Sequence, residues 1–181
     1  MSIWSPEKYL QAWQFAAIAH LGQREPGSEI SYIKHLGSVA MEGMTAIALE
    51  PTIEQPDLLM QCALLHDTIE DTAVTFDDVE QEFGLAVAQG VLALTKDSSL
   101  PPKKEQMHDS LTRIRQQPRE IWMVKLGDRI TNLKAPPHYW KPEKIQRYRQ
   151  EAKLILESLG DANEYLAARL MKKIDSYQSF L

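Results

Sequence analysis

ALLHDTIEDT, residues 63–72, decides how the rest of the chain is read. It begins as the apolar end of a helix and turns within a few residues into a cluster of ionisable groups. His66 and Asp67 stand side by side, Glu70 falls one turn after His66, and Asp71 one turn after Asp67. Neighbours on a helix point about 100° apart, so two adjacent side chains reach one ion only at a helix end or edge. Three carboxylates this close raise one another's pKa unless a cation intervenes, and a divalent metal resolves that conflict. The competing reading is a solvated acidic helix end with an incidental histidine. It explains poorly why the HD pair directly follows the buried-looking run CALL.

Two distant segments extend the pattern. SYIKHLGSVA (31–40) sets His35 at the entrance to a second helix, after a turn-rich loop. MVKLGDRITNL (123–133) sets Asp128 inside an otherwise apolar helix, where a charged residue is seldom left unpaired. On the residues alone, each has two readings. His35 is a metal ligand or a capping or core histidine; Asp128 is a ligand or the partner of Lys125 or Arg129.

Around these segments, apolar residues recur at helical spacing and strand-like alternation is nearly absent. Ser5-Pro6 caps a first helix that runs to about His20. A second is expected over 36–49, stopped near Pro51, and a third from Pro56 to Asp67 or slightly beyond. Thr75 to Asp78 form a capping box for a helix that breaks near Gly84 and resumes to Thr95. After Pro101 and Pro102 come helices over about 103–116 and 119–133, and two closing helices over 142–159 and 161–178. The expected fold is an all-α, single-domain orthogonal helical bundle spanning 1–181, with a motif core over 19–135 and closing helices over 142–178.

Bulk properties narrow the function class. No apolar run approaches bilayer length, so no membrane span is expected. The N-terminus lacks a basic-then-apolar leader, and a lone Cys62 in LLMQCALL fits a reducing cytoplasm. The net charge of −5 argues against nucleic acid as a partner. The charge is uneven, however: residues 103–149 hold 12 Lys or Arg against 5 Asp or Glu, leaving −12 for the remainder. A basic segment in an acidic protein suits a small anionic ligand, and the bland alternative is a solvated basic face.

The ordered set His35, His66–Asp67 and Asp128 resembles the H…HD…D pattern of the HD superfamily of metal-dependent phosphohydrolases. AHLGQR (19–24), YIKH (32–35), ALLHDTIEDT (63–72) and VKLGDRITNL (124–133) are similar to the hydrolase domain of RelA/SpoT-type proteins, whose stand-alone forms are the small alarmone hydrolases. The resemblance runs from about residue 9 to 135. It implies removal of the 3′-pyrophosphate from purine nucleotides such as ppGpp, with manganese as the usual divalent metal. It implies His35, His66, Asp67 and Asp128 as metal ligands, and Glu70 and Asp71 as paired catalytic acids. It also implies Arg24 at the base, Asn132 in the nucleotide pocket, and Lys125 and Arg129 as basic positions beside the substrate. The sequence departs from the family pattern at Leu36, where proline is usual. It departs again at Glu25, where a second basic residue is common, and at Thr131, where histidine is frequent.

Two imidazoles and two carboxylates form a mixed nitrogen and oxygen set that suits manganese or iron better than a thiolate-rich zinc site does. Other HD proteins are nucleotidases and cyclic-nucleotide phosphodiesterases, and Glu70–Asp71 directly after the HD pair favours the alarmone type over them. A non-catalytic nucleotide-binding regulator is a third reading, one that loss of a ligand or an acid would mark. All are present in this chain.

Overall fold

The computed structural model describes residues 4–50, 52–97, 99–100 and 103–181. Pro51, the expected stop of the second helix, and Pro101 and Pro102, expected in a connection, lie outside the described residues. The chain forms helices α1 (Pro6–Ala19), α2 (Ile33–Leu49), α3 (Pro56–Leu65), α4 (Thr68–Asp71), α5 (Phe76–Phe83), α6 (Leu85–Leu94), α7 (Lys103–Arg115), α8 (Arg119–Asn132), α9 (Pro142–Leu159) and α10 (Glu164–Ser176). No strand occurs among the described residues; the only extended pairing there is an isolated bridge between Arg24 and Ser31.

Local chemistry sets these boundaries. The Ser5 hydroxyl accepts from the Lys8 N–H ahead of Pro6, and Thr75 and Asp78 complete a reciprocal capping box on α5. Gly84, at φ 86°, supplies the left-handed link between α5 and α6. Asn163 caps α10 through the Leu166 N–H.

Every residue of α3 from Leu58 to Leu65 is buried, which makes it the central helix, apolar on all sides. It packs against α1, α2, α6 and α8. Helix α8 is buried from Glu120 to Ile130 except at Trp122, and rests on α2, α3 and α10. Burying so much of α8 takes four charged residues out of water, and each has a partner. Glu120, for instance, accepts from the Gln55 N–H at 3.0 Å. Buried Glu42 of α2 is gripped by Arg169 Nε at 2.7 and 2.6 Å, tying α2 to α10.

The loop between α1 and α2 is pinned by Glu25, a residue only 4% exposed. Its N–H donates to the Ile30 carbonyl at 2.9 Å. Its carboxylate sits between Lys34 of α2, at 3.2 Å, and Lys134 just past α8, at 2.5 Å. The acid at a position where a base was expected is therefore the clasp of this loop. Burial would raise its pKa, but Lys134 and Lys34 hold it below the ordinary 4.5.

Two predictions follow from this packing. A Cβ on Gly90 of α6 would lie 2.6 Å from Ile121 Cδ1 and 2.9 Å from Cys62 Sγ. Gly90→Ala gains about 1 kcal/mol of helix propensity, but overpacking costs about 1–3 kcal/mol. Urea denaturation should show net destabilisation, partly relieved when Ile121→Val removes the clashing methyl. The second concerns Glu25→Gln, which should lose about 1–2 kcal/mol at pH 7. Because the folded pKa lies below the unfolded one, this stabilisation is complete above pH 4.5 and is lost as pH falls through the folded value. The gap between variant and wild type should therefore close in acid; a gap that is constant down to pH 3 contradicts the clasp.

Candidate metal centre

Helix α3 stops at Leu65 rather than running on through Asp67, and the chain resumes as α4 at Thr68. Side chains bind the carbonyls where the ladder is interrupted: Thr68 Oγ1 donates to Leu65 O at 2.7 Å, and His66 Nδ1 lies 3.0 Å from Ala63 O. This is the helix end that two adjacent ligands require. His66 Nε2 and Asp67 Oδ2 come within 2.8 Å of each other.

Helix α2 begins at Ile33, so His35 lies within its first turn and not at its entrance as the loop composition suggested. The extra turn aims the ring at His66, with the two Nε2 atoms 3.3 Å apart. Asp128, from the middle of α8, places Oδ1 3.5 Å from His35 Nε2 and 3.8 Å from His66 Nε2. Asp67 Oδ2 is 3.5 Å from His35 Nε2. His35, His66 and Asp128 are 3%, 3% and 7% exposed, and offer ligand atoms within 4.8 Å of one another.

The hydrogen bonds behind the rings decide what they present. Ala63 O can only accept, so His66 Nδ1 carries the proton. Thr131 Oγ1 donates to Asp128 O at 2.9 Å, so across its 3.2 Å contact with His35 Nδ1 it accepts. In its neutral form each ring therefore turns an Nε2 lone pair toward the same point. Two lone pairs and two carboxylate oxygens converging in a buried site are the donor set of a divalent cation. Thr131 takes part in this directly, which gives the departure from histidine a structural role.

The electrostatics agree. Burial opposes protonation of His35, yet Asp128 and Asp67 raise its pKa to about 9, a measure of how strongly the site favours positive charge. Burial also works against ionised Asp67 and Asp128. His66 and His35 hold Asp67 well below the usual carboxylate range, and Lys125 and His35 do the same for Asp128. Tyr32 donates its hydroxyl to Asp67 Oδ2 at 2.5 Å.

Asp128 has one oxygen for each of its two readings. Oδ2 pairs with Lys125 Nζ at 3.1 Å, while Oδ1 faces the histidines and accepts from Asn132 Nδ2 at 2.5 Å. Lys125 is consequently a buried support of Asp128 and lines neither cavity beside the centre.

Those cavities meet at Tyr32, Asn132, Trp140 and Tyr148. The larger, about 640 Å³, is lined by the acids Asp67, Glu70, Asp71, Asp128 and Glu151 and by the cations Lys96, Arg129, Lys144 and Arg147. The second, about 480 Å³, is bounded by His35, Glu25, Lys34 and Lys134 with the flat groups Pro136, Pro137 and Trp140. Glu70 is held by Lys96 at 2.9 Å, and Asp71 accepts from Gln23 Nε2 at 3.2 Å. Burial and neighbouring Asp67 raise the Asp71 pKa. The Arg129 guanidinium lies over the Tyr148 ring, 4.2 Å from its centroid. Arg24 lines neither cavity, because Glu29 binds its guanidinium through both side chain and carbonyl.

Sequence reading passed over Tyr32, Lys96, Lys144, Arg147 and Tyr148. Tyr32 had a usable signal, three residues before His35 on one helical face. So did Lys144, Arg147 and Tyr148, at helical spacing within the basic segment. Lys96 had only its place after an apolar run.

The family described as HD domain matches residues 12–165. The chain is 32% identical over 168 residues to guanosine-3′,5′-bis(diphosphate) 3′-pyrophosphohydrolase MESH1 of Danio rerio, with 90% of each chain covered. It is 33% identical over 171 residues to the Homo sapiens protein of the same name, covering 89% of each. Similarity to bifunctional (p)ppGpp synthase/hydrolase SpoT of Escherichia coli (strain K12) is 33% over 155 residues, 83% of this chain and 21% of that one. Among solved structures, a metazoan ortholog of SpoT that hydrolyzes ppGpp and plays a role in starvation responses superposes with a TM-score of 0.80. It is 29% identical, and 98% of each chain is covered.

Proposed function

The chain belongs to the HD domain family, and from that premise we propose that it is a metal-dependent pyrophosphohydrolase that removes the 3′-pyrophosphate from purine nucleotide alarmones such as ppGpp. The observation that carries this reading is the meeting of His35, His66 and Asp128, with Asp67 against both rings, beside a cavity lined by both acids and cations. The pyrophosphohydrolases named among its relatives, matched over nearly their whole length, support the reaction class.

An HD hydrolase domain implies a divalent metal. His35, His66, Asp67 and Asp128 would hold it, and manganese suits their mixed donors. When bound, the ion supplies Lewis acidity toward a phosphoryl oxygen and lowers the pKa of a water. The chain's own groups do the rest. Glu70, fixed by Lys96, takes the proton of the attacking water. Asp71, its pKa raised by burial and by Asp67, is suited to hold a proton and return it to the departing 3′-oxygen. Arg129, Lys144 and Arg147 offset phosphate charge along the cavity, and Asn132 borders both chambers. Lys125 acts through Asp128. A base contact from Arg24 requires its guanidinium to leave Glu29, so carboxylate and purine compete for it.

We take residues 1–181 as one hydrolase domain; a single apolar cluster reaching from Ala12 to Tyr177 supports this. No described helix is long and apolar enough to cross a membrane. A reducing, cytoplasmic setting fits a chain whose one cysteine, Cys62, is buried and unpaired by a disulfide.

Two experiments test the proposal. Elemental analysis should find stoichiometric metal in the wild type and none in Asp128→Ala, and Thr131→Val should bind metal about 10–100-fold more weakly. Full metal content in Asp128→Ala removes Asp128 from the ligand set. Incubation with manganese and ion-exchange separation should show pyrophosphate leaving 3′-pyrophosphorylated purines with the 5′-phosphates intact. Glu70→Gln and Asp71→Asn should keep the metal and lose about 10²–10⁴-fold in turnover. Hydrolysis of 5′-mononucleotides with 3′-pyrophosphates untouched would favour a nucleotidase.

A further inference from the structure

Both oxygens of the Glu70 carboxylate are taken by one residue just past the end of another helix. The Lys96 backbone N–H donates to Oε2 at 2.9 Å, and its ammonium donates to Oε1, also at 2.9 Å. The backbone donor is available for a simple reason. Helix α6 ends at Leu94 and Thr95 is already extended, so the Lys96 N–H falls just past the ladder and has no helical carbonyl to bind.

That turn is itself held. The Arg113 guanidinium of α7 donates to the carbonyls of Leu92 at 2.7 Å, Ala93 at 3.1 Å and Thr95 at 2.8 Å. Asp109 orients it through Nε at 2.8 Å. These are the last carbonyls of α6, which a cation at a helix C-terminus satisfies. A chain of contacts thus runs from Asp109 through Arg113 and the end of α6 to Lys96 and Glu70. Burial would lower the Lys96 pKa, but Glu70 more than offsets it, which is consistent with an ionised pair.

We propose that Lys96 is a positioning residue for the reaction, holding the Glu70 carboxylate in the orientation from which it takes the proton of the attacking water. The inference rests on the reading of Glu70 as general base. It assigns the lysine to the acid and not to the phosphates, although Lys96 also borders the cavity. Glu70 sits on α4, a single turn of helix, and one turn cannot by itself fix a long side chain. A pair of donors from outside supplies what α4 lacks.

A double-mutant cycle in the full chain with manganese separates acting through Glu70 from touching substrate. Lys96→Met keeps the aliphatic stem and the backbone donor and removes the ammonium. It should lower kcat about 10–100-fold, less than Glu70→Gln does, with KM within about threefold of wild type. Lys96→Arg, which retains donors, should recover most of the loss. In the Glu70→Gln background, Lys96→Met should cost no more than about twofold. A crystal structure of Lys96→Met should show the Glu70 carboxylate turned from its present place. A rise in KM of equal size in both backgrounds would overturn the proposal, as would an unmoved Glu70 with unchanged kcat. Should the wild type hydrolyse a different nucleotide, the substrate reading fails and the same cycle on that nucleotide decides Lys96. Should it hydrolyse none, the position of Glu70 in the Lys96→Met crystal structure decides it.

Discussion

Two buried imidazole nitrogens 3.3 Å apart, facing two carboxylates, set the terms for the rest of this molecule. Each group costs free energy to bury, and none is satisfied by the hydrophobic core around it. The fold answers by drawing them from three places: the first turn of α2, the break between α3 and α4, and the middle of α8. Because α3 and α8 are also the most buried helices, the centre and the core are built on the same framework. A ligand lost there removes both a charge partner and a link between central helices.

Around the centre, a second layer of contacts fixes proton positions as well as side chains. Ala63 O and Thr131 Oγ1 settle the two histidine tautomers, while Tyr32 and Asn132 donate to the carboxylate oxygens that face the rings and Lys125 takes the Asp128 oxygen turned away from them. Thr131 illustrates the economy of this layer. Its one hydroxyl proton goes to Asp128 O and its lone pair receives His35, so one side chain couples two proposed ligands. A histidine at this position would have to make those contacts from a longer side chain with a different reach.

Most of the fold was legible because helical periodicity, caps and prolines are local signals. Among the proposed ligands, His66, Asp67 and Asp128 stand out in the sequence because they disturb apolar runs: HD after CALL, and Asp128 within MVKLG. What escaped depends on distance in sequence. The start of α2 was placed too late because SYIK carries no strong cap, and Tyr32 serves as N-cap without a side-chain bond. The stop of α3 at Leu65 was missed because hydroxyl and imidazole contacts to carbonyls, not a glycine or proline, mark it. Glu25 reads in the sequence only as a departure from a basic position, because its lysine partners are 9 and 109 residues away.

The basic segment shows how far a charge count carries. Its excess of cations suggested a small anionic ligand, yet most of those whose contacts are described face inward to the protein itself. Arg113 and Arg149 bind the last carbonyls of α6 and α10, and Arg115 reaches Ser158 O near the end of α9. Arg119 pairs with Glu50, Lys125 with Asp128, and Lys134 with Glu25. Arg129, Lys144 and Arg147 line the larger cavity, where Lys96 is bound to Glu70 and Arg129 lies 3.7 Å from Glu151. Charge that closes helix ends or pairs with a buried acid contributes little field to a ligand, since its partner cancels it at short range. The inference of an anionic substrate therefore rests on the few cations that border the same cavity as the proposed catalytic acids, and the net balance of the segment is mostly a record of how its helices are tied down.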